Sequence, residues 1–83
     1  MMKTRQQDYG SGNMIGKQVY LLREERNIKQ KDFIARLQAN GLDINPTSYS
    51  KLEGQVRGAT DKEVYHIAKA LGVPMEALFP KDE

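Results

Sequence analysis

Hydrophobic side chains recur every three or four positions from Ile15 onward, which is the spacing of one face of an α-helix. The pattern divides into four segments, and a short fifth begins at Pro74 and runs to Leu78. No stretch alternates with period two for long enough to form a strand. The chain is therefore predicted to be an all-α domain of five short helices. The residues expected on the buried faces are Ile15, Val19, Leu22, Phe33, Ile34, Leu37, Tyr49, Leu52, Val64, Ile67, Ala68 and Leu71.

The boundaries of the first three helices follow from residues that satisfy free backbone groups. Asn13 is placed to cap the first helix, and Asn27 is placed to take the left-handed turn that ends it. The second helix is predicted to stop at Gly41. Asn45 followed by Pro46 is a capping side chain followed by proline at the first helical position, so a third helix starts there.

The fourth helix has the most complete set of boundary signals. Thr60 and Glu63 have the spacing of a capping box, and Gly72 follows the last apolar residue of the segment. Ahead of the first helix, residues 1–12 are polar, contain two glycines and show no period. We therefore expect a flexible arm over 1–12, one domain over 13–79 and a short tail over 80–83.

Composition narrows the class of protein. A chain of 83 residues holds one small hydrophobic core and is too short for a barrel or a doubly wound sheet. It contains no cysteine, a single histidine and no nucleophile–base constellation, so we expect no metal, no cofactor and no enzymatic activity. No apolar run approaches the ~18 residues of a membrane span, and no signal peptide is visible. A soluble, cytoplasmic protein is expected.

Charge is distributed unevenly along the chain. Residues 1–57 carry ten Lys/Arg and six Asp/Glu, whereas residues 58–83 carry three and five, so a net charge of +4 precedes one of −2. This asymmetry suggests that one surface is basic and binds a polyanionic partner, whereas the opposite surface is acidic. Chance scatter over a small surface explains it equally well.

Four stretches together carry a resemblance that extends over about residues 15–79. They are IGKQVYLLREERN, KQKDFIARL, SYSKLEG and VYHIAKALGVPMEALF, in that order. The chain resembles the lambda-repressor-like helix-turn-helix family of phage repressors, Cro proteins and small bacterial regulators. The resemblance implies that the second and third helices form the helix-turn-helix and that the third, over about 46–53, is the recognition helix.

The third helix opens with small polar groups of the kind that approach base edges in the major groove. They come from Asn45, Thr47, Ser48, Ser50 and Lys51. The resemblance places Thr47 and Lys51 on base-reading positions, and also Pro46, which has neither a side-chain nor a backbone donor. Polar residues at a helix start also serve simply as caps.

The resemblance assigns further residues to contacts with the DNA backbone. It implies that Gln30, at the start of the second helix, grips a phosphate, and that Gln55 and Arg57 make contacts from the loop after the third helix. Lone glutamines are usually solvated, and Arg57 equally fits a solvated loop cation. The resemblance also pairs Arg23 with Glu53 in an ion pair that orients the recognition helix.

Three positions depart from the family pattern. Seven residues, 38–44, stand where the common turn between the second and third helices has about two. Ile34 replaces a usual alanine, and a larger side chain there should push these two helices apart. After Glu53 the glycine comes one residue early and Gln55 takes the usual glycine position, so the loop is expected to follow a different backbone path.

The sequence therefore predicts a sequence-specific, double-stranded-DNA-binding transcriptional regulator. The alternative is a protein-interaction module on the same fold, such as an antitoxin or an adaptor. Because one recognition helix makes few base contacts, we expect a weak homodimer, with Met75 and Phe79 as the candidate partner-facing residues. Closure of the bottom of a small core explains these apolar residues equally well.

Overall fold

A computed structural model describes residues 9–81 of the chain. This part of the chain contains no β-strand, and its four α-helices account for most of the ordered backbone. In chain order the helices are α1 (Gly16–Glu25), α2 (Gln30–Ala39), α3 (Pro46–Glu53) and α4 (Asp61–Leu71). The all-α prediction is confirmed for the described residues, and α3 has the bounds predicted for the recognition helix.

The predicted fifth helix is a single turn of 3-10 helix, Met75–Leu78, rather than an α-helix. Its length is limited by proline on both sides. Pro74 precedes it, and Phe79, which precedes Pro80, is extended with φ −95° and ψ 150°. A residue before proline disfavours the α region, so the backbone leaves the helical conformation after one turn. The predicted number of five helices is therefore not confirmed.

The predicted caps of α3 and α4 are confirmed. Asn45 Oδ1 accepts the backbone N–H of Ser48 at 2.8 Å, and Pro46 occupies the first position of α3. At α4, the Thr60 hydroxyl accepts the N–H of Glu63 while the Glu63 carboxylate accepts the N–H of Thr60. Gly72 closes α4 with φ 73°, a left-handed conformation that glycine adopts without a steric penalty.

The start of α1 is capped by Asn13, which lies two residues before the N-cap position. Ile15 is the formal N-cap and has no side-chain hydrogen bond. Instead, Asn13 Oδ1 accepts the N–H groups of Ile15 and Gly16, both at 2.9 Å. Asn27, just past the other end of α1, has φ 55°, so the predicted left-handed turn is present.

One hydrophobic cluster joins all four helices and the 3-10 turn. Phe33 of α2 and Tyr49 of α3 meet edge to face inside it, with ring centroids 5.8 Å apart. Leu22 and Val64, predicted to be buried, are only partly buried against the cluster. Its buried members are Ile15, Val19, Phe33, Ile34, Leu37, Leu42, Ile44, Tyr49, Leu52, Ile67, Ala68, Leu71 and Leu78.

The long connection between α2 and α3 is part of this core. Leu42 and Ile44 are buried, and Gln38 Nε2 donates to the Ile44 carbonyl at 2.7 Å. Ile34, the bulky residue at the position where the family usually has alanine, is buried in the same cluster. The extra residues therefore supply apolar side chains that pack around the helix-turn-helix.

The N-terminal segment, residues 9–13, lies against the loop that follows α3. Gly10 N–H donates to the Gly54 carbonyl at 2.9 Å, and Gly12 N–H donates to the Gln55 carbonyl at 2.7 Å. Residues 9–12 of the predicted arm are thus held by the domain. The rest of the arm, residues 1–8, and residues 82–83 of the tail lie outside the described residues.

Within residues 9–81, none of the helices combines the length and apolar character needed to cross a bilayer. The same range contains no group of three or more His, Cys, Asp or Glu side chains that could hold a metal ion.

Candidate nucleic-acid interface

The helix α3 has one polar face open to solvent and one apolar face in the core. Thr47, Ser50 and Lys51 are exposed, and their i, i+3, i+4 spacing places them side by side. Tyr49 and Leu52, on the opposite face, are fully buried. Burial of the apolar face fixes which side chains of α3 are available to a ligand.

The three remaining predicted residues at the start of α3 have other surroundings. Asn45 is exposed, but its Oδ1 is used by the cap on Ser48. Pro46 is exposed and offers no donor. Ser48 is half-buried, and its carbonyl accepts a hydrogen bond from Arg57 Nε at 3.1 Å. Asn45 and Ser48 thus hold the start of α3 in place.

Beneath the exposed face, the carboxylate of Glu53 accepts four hydrogen bonds. Arg23 donates two of them, from Nε to Oε2 and from Nη2 to Oε1, both at 2.9 Å. Tyr49 donates its hydroxyl to Oε2 at 2.7 Å, and Gln30 Nε2 donates to Oε1 at 3.1 Å. Arg23 and Glu53 are each 5% exposed. A carboxylate with four donors is fully satisfied, which is the condition for keeping a charge buried.

The ionisation of this cluster follows from its geometry. Burial by itself would lower the pKa of Arg23, but the hydrogen bond and the negative charge of Glu53 raise it above its ordinary value. Burial raises the pKa of Tyr49 far above its usual range, and the charge of Glu53 raises it further. Tyr49 therefore stays protonated at neutral pH and donates to Glu53.

Gln30, at the start of α2, links this buried cluster to the exposed face of α3. Its Nε2 donates to Glu53, and its Oε1 accepts the hydroxyl of Ser50 at 3.1 Å. The side chain predicted to grip a phosphate thus has a protein partner at each end of its amide. Its neighbours Lys29 and Lys31 are both exposed and carry positive charge beside the same helix start.

The side chain of Arg57 is held by hydrogen bonds within the protein. Its Nη1 and Nη2 donate to the two carboxylate oxygens of Glu63 at 2.9 and 2.8 Å. Its Nε donates to Ser48, and Nη1 also donates to the Gly58 carbonyl at 2.6 Å. These four hydrogen bonds use four of the five N–H donors of the guanidinium. Arg57 thus has a structural role in this fold, and a phosphate contact by its side chain stays a prediction.

Glu63 completes this second ion pair and also belongs to the capping box of α4. Burial by itself would raise its pKa, but the hydrogen bonds from Arg57 and Thr60 outweigh that effect and hold the pKa below its ordinary value. The carboxylate is therefore ionised at neutral pH and attracts the guanidinium.

Gln55 takes the left-handed conformation in the loop after α3, with φ 61°, whereas Gly54 has φ −80°. This conformation costs a non-glycine residue roughly 1–2 kcal/mol. Two side-chain hydrogen bonds offset it: Oε1 accepts the N–H of Lys17 at 2.9 Å, and Nε2 donates to the Gly10 carbonyl at 3.0 Å. Gln55 thus ties the loop to the start of α1 and to the N-terminal segment.

The predicted residues therefore separate into two groups. Thr47, Ser50 and Lys51 form one exposed face, which Gln30 adjoins through Ser50. The other group caps or tethers backbone through the side chains of Asn45, Gln55 and Arg57, and it includes the half-buried Ser48, whose carbonyl accepts from Arg57. Lys29 and Lys31, which flank Gln30 and are exposed, were not among the predicted site residues, although the Lys-Gln-Lys run at a predicted helix start was a visible signal.

Comparison with known proteins identifies the family of the fold. A family model described as a helix-turn-helix domain matches residues 16–81, about four fifths of the chain, and the match begins at the first residue of α1. No curated protein and no solved structure shows a significant match.

Proposed function

Because the chain belongs to the helix-turn-helix domain family, we propose that it binds double-stranded DNA at specific sequences and regulates transcription. Domains of this family are typically DNA-binding modules rather than enzymes. The observation that supports the proposal is the exposed face of Thr47, Ser50 and Lys51 on a helix whose other face is buried. Small polar groups and one lysine on such a face can reach base edges in a major groove about 12 Å wide.

Contacts with the DNA backbone come, in this proposal, from the start of α2. Lys29 and Lys31 bring two charges to a helix N-terminus whose first N–H groups point outward and whose dipole favours an anion. Gln30 contributes there through its backbone N–H. Gln55 and Arg57 act indirectly, because their side chains hold the loop and the start of α3 in position.

We also propose a weak homodimer that forms on the DNA. Met75 and Phe79 are 48% and 39% exposed, whereas Leu78 between them is fully buried. Val73 is half-buried. Two copies would place two recognition helices on half-sites about 34–36 Å apart. Sedimentation with and without the bound duplex tests this: two proteins per duplex are expected, and one per duplex at saturation contradicts the dimer.

Selection of bound fragments from random duplex DNA tests the main proposal. We expect one enriched motif, with near-palindromic halves if two copies bind. Affinity for that motif should fall steeply as salt rises, because Lys29, Lys31 and Lys51 displace counterions from phosphates.

The alternative, a protein-interaction module, predicts the opposite result. No motif would be enriched, and any binding through apolar surface would respond weakly to salt. Recovery of random fragments with no enrichment would therefore reject sequence-specific DNA binding.

A further inference from the structure

The direction of the hydrogen bond between Ser50 and Gln30 is set by the buried cluster below it. An ionised carboxylate can only accept hydrogen bonds, so the amide group facing Glu53 must be the NH₂ of Gln30. The carbonyl Oε1 of Gln30 therefore faces Ser50, and the Ser50 hydroxyl is the donor. Turning the amide over would place Oε1 against the carboxylate, two acceptors in contact.

The cluster also prevents relaxation of this arrangement. Arg23 and Tyr49 supply the other three hydrogen bonds to Glu53, so its carboxylate is held on both oxygens. Gln30 is half-buried between that carboxylate and Ser50. Withdrawal of the Ser50 proton would leave Gln30 Oε1 without its partner, which costs free energy in a partly desolvated site.

We propose that Ser50 reads the major groove as a hydrogen-bond acceptor and contacts an exocyclic amino group, N6 of adenine or N4 of cytosine. A serine hydroxyl has one proton and two lone pairs, and its proton is committed to Gln30. Only acceptor capacity remains on the exposed side. In the major groove the donors are the amino groups, whereas N7, O6 and O4 are acceptors. This inference rests on the proposed DNA-binding function.

Thr47 provides a contrast on the same face of α3. It carries the same kind of hydroxyl and is exposed, and within residues 9–81 the structure shows no hydrogen bond from that hydroxyl to the protein. Its proton is free to rotate, so Thr47 can donate or accept. The two hydroxyls therefore differ in hydrogen-bond polarity although they are three residues apart.

The test uses base analogues within the duplex obtained by selection. Purine in place of adenine, or pyrimidin-2-one in place of cytosine, removes one amino group. A 7-deazapurine removes one N7 acceptor. Dissociation constants are measured at one salt concentration for the wild type and for Ser50→Ala, with Thr47→Ala as the matched control and thermal melts to verify folding. Comparing each analogue across variants cancels its effect on base pairing.

Removal of the amino group that Ser50 contacts should weaken wild-type binding about two- to tenfold. The same removal should leave the affinity of Ser50→Ala unchanged. Thr47→Ala should retain the wild-type response at that position. Gln30→Ala releases the Ser50 proton, so this variant should lose part of the dependence on the amino group.

The possible outcomes separate the two proposals. If a 7-deazapurine lowers the affinity of the wild type but not of Ser50→Ala, and removal of an amino group has no such effect, then Ser50 is a donor and the acceptor assignment is wrong. If a motif is selected but no analogue changes the affinity differently in wild type and in Ser50→Ala, the proposed base contact by Ser50 is wrong. The proposed DNA-binding function is not affected by that result. Failure to select any motif would reject both.

Discussion

Arg57 and Glu63 form a bidentate ion pair that joins the loop after α3 to the first turn of α4, with N–O distances of 2.9 and 2.8 Å. The same guanidinium donates to the Ser48 carbonyl in the first turn of α3. Glu63 also accepts the N–H of Thr60 at 2.9 Å. This pair therefore fixes the start of α3 relative to α4.

Arg57→Ala should lower the free energy of unfolding by about 1–2 kcal/mol, because it removes four hydrogen bonds, two of them to a charged partner. The side chain is 25% exposed, so solvent screening reduces the effect. Lys62→Ala, an exposed change in the first turn of α4, should stay within roughly ±0.5 kcal/mol in the same urea titration. We expect the salt slope of DNA binding to stay unchanged in this variant, because Glu63 already pairs with the charge of Arg57. A salt slope that is flatter by about one in Arg57→Ala would instead show that Arg57 contacts a phosphate.

The lowered pKa of Glu63 makes part of the stability depend on pH. A carboxyl group whose pKa is lower in the folded state stabilises the protein above its unfolded value near 4.5, and this contribution disappears as the pH falls below it. The difference in unfolding free energy between wild type and Glu63→Gln should therefore shrink from pH 6 to pH 3. Glu76→Gln, at an exposed position of the 3-10 turn, is the control. A constant difference across this range would contradict the shift.

Arg23→Ala or Glu53→Ala should each destabilise the fold by roughly 3–5 kcal/mol, because each leaves a buried charge without its partner. The double variant should be less destabilised than the sum of the two. Thermal melts of the four proteins give the coupling energy. Small, additive effects would show that the two charges do not stabilise each other.

Gly16→Ala tests the close approach of α1 to the end of α3. Alanine favours a helix by about 1 kcal/mol over glycine, yet its Cβ would collide with the Glu53 carbonyl oxygen and lie 2.6 Å from that of Leu52. We expect net destabilisation of about 1–3 kcal/mol, since two backbone segments must separate. Gly58→Ala, whose Cβ would meet Gly12 at 3.6 Å, is the matched control. Equal stability of the two variants would refute the steric argument.

Lys51→Ala should relax the preference at one base pair, because Lys51 lies on the exposed face of α3, the proposed recognition helix. Lys29→Ala should instead weaken binding to all sequences and flatten the salt slope by about one. Parallel selections and salt titrations measure both effects, with Lys62→Ala as control. Unchanged affinity and preference in Lys51→Ala would remove α3 from the readout.

Local signals in the sequence determined where most helices begin and end. Asn45, Pro46, Thr60 and Gly72 act on backbone groups within four residues, so their effects are visible without knowledge of the fold. The 3-10 turn differs because Pro80 limits it from outside the apolar pattern. The pairing of Arg23 with Glu53 came from family resemblance, since no local rule connects residues 30 positions apart.

The tertiary structure alone decided which partners the polar side chains of α2, α3 and the loop after α3 find. Gln55 reaches Lys17 across 38 positions, and Gln30 reaches Ser50 across 20. Arg57 turns to Glu63, only six positions away, because the loop brings the first turn of α4 back beside it. A sequence shows which donors and acceptors exist, but helix packing determines which of them come within hydrogen-bond distance of each other. The same side chain can therefore be exposed at the surface of α3 or hold backbone of the domain in place, depending on what packs beside it.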